Sequence, residues 1–397
     1  MNPQTELDLV VYGASGYTGK LVAEHLLQRR GIGRRLRWGI AGRSPDKLEM
    51  VKRELGASDM LPTLVADATT PGSLQAMVAR TKLVVSTVGP YQLYGTELVA
   101  ACARLGKDYV DLCGEPLWMR EMIDRYGEDA RRTGARILFS CGFDSIPFEL
   151  GVHALQTCSQ EVFGKPATQV KARLDGARLA KSGFSDGTIT SLRENLRVAA
   201  DNPDLLTSLR DPFLLAPGFR GASQAEMELP RFDEELRVWL APFVMTIINA
   251  KNVHRSNRLM GLPWGTDFCY DEMLVMGPNS GGKLAAEGLV EAMKQLLSVK
   301  AGEQPPGTGP TREQREAGSY QAIFSAKVDG TPLRFAVTGA GDPGYGSTSK
   351  MIAETALCLI DDARTPAGGI WTPGAALGQR LMIRLAQYAG LTIERLA

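Results

Sequence analysis

Along the first third of the chain, apolar and polar positions alternate between two rhythms. Residues 7–12 (LDLVVY) form a short apolar run that reads as a buried strand. Residues 19–30 (GKLVAEHLLQRR) carry apolar side chains at 21, 22, 26 and 27, one face of a helix. The pair then repeats. Strand-like runs at 35–44, 62–69, 83–91 and 109–115 alternate with helical stretches at 46–55, 73–82, 95–105 and 117–133, and residues 135–151 bring a further apolar run. Strands and helices alternating at these lengths specify a parallel sheet covered on both faces.

After residue 151 the rhythm changes. Segments 168–179, 320–330 and 332–339 carry the two-residue period of half-buried antiparallel strands, and VDGT between the last two predicts a hairpin turn. Residues 184–201 read as a turn and a helix, and 200–235 as a polar stretch bearing proline. The glycine, proline and charge of 301–318 predict a mobile loop projecting from the second domain. Met351, Ile352, Thr355, Ala356 and Leu359 recur at helical spacing and predict a helix that lies on a sheet. The expected fold class is α/β, with a Rossmann-type parallel sheet in 1–145 and a second α+β domain built on a largely antiparallel sheet in 146–340. Residues 341–397 are expected to return to the first domain.

Composition narrows the partners. The formal net charge of +1 on 397 residues gives no global field for nucleic acid. Six cysteines without CxxC spacing predict reduced thiols, and the three histidines form no metal-ligand pattern, so no metal is expected. No apolar run reaches the ~18 residues of a membrane span. MNPQTELD also lacks the basic start of a secretory signal. A cytoplasmic protein is expected, with contact at a membrane surface the one association with lipid left open.

The chemistry concentrates after the first strand. In GASGYTG, Gly13 permits a tight turn, Gly16 a close backbone approach to a pyrophosphate, and Gly19 close packing of the helix on the sheet. Free amides at the helix start supply an anion site. The second strand ends in Gly42, Arg43 and Ser44, where an enzyme using NADH carries an acid for the ribose hydroxyls. A guanidinium there grips a 2′-phosphate instead, so the expected cofactor is NADPH. Asp67, ending the third strand, is placed near the adenine, and Thr87, Val88 and Gly89 near the pyrophosphate or ribose. Tyr91 and Asp144 are the candidates for donating a proton or polarising a substrate, while Cys113 and Cys141 are read as packing, and His25 and His153 as structural.

These segments also carry a family likeness. VVYGASGYTGKLVAEHL (10–26), AGRSPDKL (41–48), VVSTVGPYQLYGTELVAACARLGKDYVDLCGE (84–115) and CGFDSIPFELG (141–151) resemble the saccharopine dehydrogenase-like oxidoreductases. Through PGTGPTREQREAG (306–318), STSKMIAETALCL (347–359) and GGIWTPGAALG (368–378), the chain is similar to their mycobacterial trans-acting enoyl reductase branch. The resemblance implies NADPH held by Gly13, Ser15, Gly16, Tyr17, Thr18 and Gly19, with Arg43 and Ser44 at the ribose phosphate. It further implies a second domain for substrate and homodimer contacts. The implied reaction is enoyl reduction of an acyl or polyketide thioester, presented by a carrier protein, in lipid biosynthesis. Two alternatives stand beside it. One is reduction of an imine or amino acid, with Arg178, Arg193 or Arg255 meeting substrate carboxylates; the other is a nucleotide-binding sensor or scaffold without turnover.

Overall fold

The computed structural model describes residues 6–33, 35–57, 59–182, 190, 193–194, 197, 202–298, 309–362 and 366–397. Six strands arise in the first third: β1 (Leu7–Tyr12), β2 (Trp38–Gly42), β3 (Thr63–Val65), β4 (Thr81–Ser86), β5 (Asp108–Val110) and β6 (Arg136–Leu138). The rest of the chain adds β7 (Gln169–Asp175), β8 (Arg231–Asp233), β9 (Val238–Pro242), β10 (Cys269–Gly277), β11 (Ser319–Val328), β12 (Thr331–Ala340), β13 (Gly369–Trp371) and β14 (Leu391–Leu396). Among the described residues they form two sheets, ordered β13-β6-β5-β4-β1-β2-β3 and β14-β12-β11-β7-β10-β9-β8.

Every pairing in the first sheet is parallel. Its order reverses between β1 and β4, so the connecting helices leave in opposite directions and open a crevice at the carboxyl ends of these strands. β1, β2 and β4 are almost wholly buried apolar runs, as a sheet covered on both faces requires. The strands are shorter than the apolar runs that announce them, because the run continues into the turns that line the crevice.

The second sheet is antiparallel except where β7 lies parallel to β10. The β11–β12 hairpin turns at Asp329 and Gly330, both at positive φ, as VDGT predicts. Helix Ile146–Phe163 covers β11 and β12, and Gly151 lets it approach closely: a Cβ there would lie 2.5 Å from the Phe324 ring.

Two expectations need correction. Residues 341–397 do not belong to one sheet. Helix Thr348–Asp361 packs beside helix Tyr17–Arg30 over β4 and β5, and β13 extends the first sheet, yet β14 pairs with β12 in the second. Pairing there satisfies the backbone of a sheet edge that would otherwise stand open. The described part of 301–318 does not project either. It includes the short helix Arg312–Ala317 and packs against helix Tyr17–Arg30. Residues 301–308 and most of the turn and helix expected at 184–201 lie outside the described residues.

A single apolar cluster joins the sheets. Phe143 and Phe148, after β6, meet Phe243 and Tyr320 from the second half at ring separations of 4.7–6.4 Å. This contact decides which side of the crevice the second sheet walls. Among the described residues, no helix is long and apolar enough to cross a membrane.

Candidate functional site

The glycine turn is packed to its limit. A Cβ at Gly19 would sit 2.2 Å from the Gly13 carbonyl oxygen. At Gly13, where φ is +92°, one would sit 2.7 Å from both Thr87 Oγ1 and Val88 Cγ2. Thr87 in turn donates to the Tyr12 carbonyl at 3.2 Å. β1, β4 and the helix start are thereby drawn together at the point where the strand order reverses. Lys20 makes the first i→i−4 bond of helix Tyr17–Arg30, to Gly16, so the amides of Tyr17, Thr18 and Gly19 have no carbonyl within the helix. The first turn holds no acidic residue and Gly16 is exposed. This cradle fits the diphosphate of a dinucleotide.

On the β2–β3 side, Arg43 is exposed and its charge is felt by Asp67 and Tyr12. Ser44 caps helix Pro45–Glu54 by accepting from the Lys47 amide at 3.3 Å. Asp67 accepts from the amide and hydroxyl of Thr69, both at 2.9 Å, which lower its pKa. Its carboxylate therefore braces the turn that follows β3. Ser15 lies beside Gly42, and Gly89 is exposed at the end of the β4 turn. The structure thus brings Ser15 to Gly42, Arg43 within electrostatic range of Asp67, and Thr87 and Val88 to Gly13.

Tyr91 and Asp144 part company. The Tyr91 side chain is buried; its hydroxyl donates to the Ser86 carbonyl at 3.2 Å and accepts from the Leu112 amide at 3.1 Å. Burial raises its pKa well above the usual phenol. Tyr91 therefore ties strand ends together, its hydroxyl engaged both as donor and as acceptor. Asp144, beyond β6, is half-buried, and both its neighbours are pinned. The Phe143 amide donates to Thr348 Oγ1 at 3.0 Å, and Asn252 donates to Ser145 Oγ at 2.7 Å. Desolvation raises the Asp144 pKa from 3.8 to about 7. A carboxyl in this state holds a transferable proton near neutral pH.

Behind it stands a group that the sequence reading passed over. Glu272 on β10 is fully buried, accepts from Tyr270 Oη at 2.7 Å and Asn249 Nδ2 at 3.0 Å, and is raised to about 7 by burial, with the Asp144 charge adding to the rise. Asn249, Asn252 and Ser256 lie at helical spacing on helix Thr246–Leu259, whose buried residues include four more with polar side chains or charges, Lys251, His254, Arg255 and Asn257. That stripe of polar letters was the available signal; the apolar stretch 238–250 ends just as it begins. Cys113 and Cys141 are buried, as packing residues would be. His25 hydrogen-bonds to buried Glu354 at 2.8 Å, a structural contact.

Two of the three arginines considered for substrate carboxylates have partners within the protein. Arg255 is buried and donates to the carbonyls of Leu215 and Ile370, and Arg178 pairs with Asp175 on the surface. Arg193 falls in a stretch of which only single residues are described.

Comparison with known proteins agrees with this geometry. Residues 9–138 match the saccharopine dehydrogenase NADP binding domain. A Mycobacterium tuberculosis protein named as a trans-acting enoyl reductase is 40% identical over 98% of this chain and 97% of its own length. The trans-acting enoyl reductase of Mycobacterium ulcerans is 35% identical over 97% and 96%. Saccharopine dehydrogenase (L-Glu forming) of Saccharomyces cerevisiae shares the fold, with a TM-score of 0.55 at 13% identity, over 98% of this chain and all of that one. The chain belongs to the trans-acting enoyl reductase family, within the saccharopine dehydrogenase-like oxidoreductases that carry an NADP-binding domain.

Proposed function

We propose that this protein reduces the carbon–carbon double bond of an α,β-unsaturated acyl or polyketide thioester. NADPH, which the glycine turn at Gly13, Gly16 and Gly19 and Arg43 would hold, would supply the hydride for the β-carbon. Asp144 gives its proton to the α-carbon, so the two additions yield the saturated thioester, and the aspartate regains a proton from solvent. The observation that carries this reading is the half-buried Asp144 carboxyl, raised to about 7 at the carboxyl end of the parallel sheet. Support comes from the strand order, which reverses between β1 and β4, and from Asp144 following β6 at the carboxyl end of the same parallel sheet. The names of the relatives support the substrate class, and their description as trans-acting supports a chain presented on a separate carrier protein. In this reading, residues 1–145 hold the nucleotide, 146–340 wall the substrate side, and 341–397 tie the two together.

Calorimetric titration with NADPH and NADH tests the cofactor half. NADPH should bind at least about tenfold tighter, a difference of about 1.4 kcal/mol, and Arg43→Ala should remove most of it. NADPH oxidation followed by absorbance with a short trans-2-enoyl thioester tests the reaction. Binding without turnover on enoyl thioesters, free or carrier-linked, would favour the sensor or scaffold.

A further inference from the structure

The segment that leads into β11 lies across the start of helix Tyr17–Arg30. The Tyr17 hydroxyl donates to the Pro310 carbonyl, and Arg315 Nη1 donates both to that hydroxyl and, at 2.9 Å, to the same carbonyl. Gly309 lies so close to the Tyr17 ring that a Cβ there would sit 2.6 Å from it. Tyr345 meets the other side edge-on, with ring centroids 4.9 Å apart. Arg312 pairs with Glu24 about two turns further along the helix. Asp342 fixes the support: its carboxylate caps the amides of Tyr345 and Gly346, each at 2.8 Å, and its own amide donates to the Arg315 carbonyl at 2.8 Å.

Arg315 is the unexplained member of this contact. It is half-buried, and among the described residues no carboxylate lies within ion-pairing distance of it, whereas neighbouring Arg312 has two. Its hydrogen bonds to described residues use Nη1 alone, which leaves the Nη2 and Nε donors for another acceptor. Tyr17, to which it is bonded, opens the helix whose free amides form the anion cradle. A guanidinium bonded to the side chain of the helix's first residue, with Glu313 near enough to feel its charge but outside ion-pair contact, suits a phosphate, which it can grip through two parallel hydrogen bonds.

We propose that Arg315 is a ligand of the cofactor's diphosphate, contributed by the segment that enters the second sheet, with the Tyr17 hydroxyl holding the guanidinium in place until the nucleotide arrives. The proposal rests on the reading of the glycine turn as the dinucleotide site. It makes nucleotide binding depend on a contact between the two halves of the chain.

The test is a calorimetric titration of the full chain with NADPH and, separately, with adenosine 2′-monophosphate, which carries the Arg43-directed phosphate and no diphosphate. Arg315→Ala should weaken NADPH at least tenfold and leave adenosine 2′-monophosphate within twofold of the parent, with Arg315→Lys recovering part of the loss. Unchanged NADPH affinity in Arg315→Ala, or equal weakening of both ligands, would overturn the assignment. Failure of the parent protein to bind either ligand would instead remove the dinucleotide reading on which it stands.

Discussion

Replacing Asp144 by Asn keeps the shape of the side chain and removes its transferable proton. The carboxyl is raised from 3.8 to about 7 by desolvation, so near pH 7 about half the molecules hold the proton. General acid catalysis contributes about 10²–10⁴ in rate, so kcat on an enoyl thioester should fall by that factor, about 3–5 kcal/mol in the barrier. NADPH affinity should stay within about twofold, since no described cofactor candidate touches the carboxyl. In the parent enzyme kcat/KM should be level below the carboxyl pKa and fall as pH rises through it; in Asp144→Asn this limb should vanish. Stability has the same pH sign. The native state keeps a proton that the unfolded chain gives up near pH 4, so the carboxyl's contribution is fully present below that pH and is lost as pH rises to about 7. At pH 8 the Asn variant should therefore be more stable to urea than the parent by about 1–2 kcal/mol, allowing for the partial contact of Asp144 with water. A fall in kcat of less than about fivefold with the pH limb intact would mean the proton comes from elsewhere, against the general-acid argument.

Other residues give independent checks. Gly19→Ala drives a Cβ to 2.2 Å from the Gly13 carbonyl and should cost about 1–3 kcal/mol in chemical denaturation while weakening NADPH in the same titration. Tyr91→Phe loses two buried hydrogen bonds and should lower stability by about 1–2 kcal/mol, with kcat within about threefold of the parent. Glu354 receives His25, Arg29 and Arg384; burial pushes its pKa up, but the His25 hydrogen bond and the Arg384 charge outweigh that and bring it to about 2. Its contribution should be complete above pH 4.5 and lost as pH falls towards 2, and Glu354→Ala should lower stability by about 1–3 kcal/mol at pH 7 by removing the partner of half-buried Arg29 and of buried His25, while Arg384 keeps Asp361.

The nucleotide half was legible because its information is local. Glycines at 13, 16 and 19 between a strand and a helix imply the turn, and Arg43 at the end of β2 implies the cofactor's phosphate, from letters within a few residues of one another. The catalytic half was legible only as a pair of candidates. Tyr91 and Asp144 both follow strand ends, and nothing near them in sequence says that Ser86 and Leu112 occupy the phenol while no hydrogen bond to a described residue meets the carboxylate.

The chain by itself determined the alternation of elements, the parallel first sheet, the β11–β12 hairpin and the glycine cradle, since periodicity and turn chemistry act over a few residues. Tertiary structure decided the rest. It set β13 and β14 in different sheets, laid Arg315 on Tyr17 across almost 300 positions, and brought Tyr320, Phe243, Asn252 and Thr348 around the Asp144 segment. A carboxyl's proton affinity depends on how much water its neighbours exclude, and those neighbours come from every part of the chain.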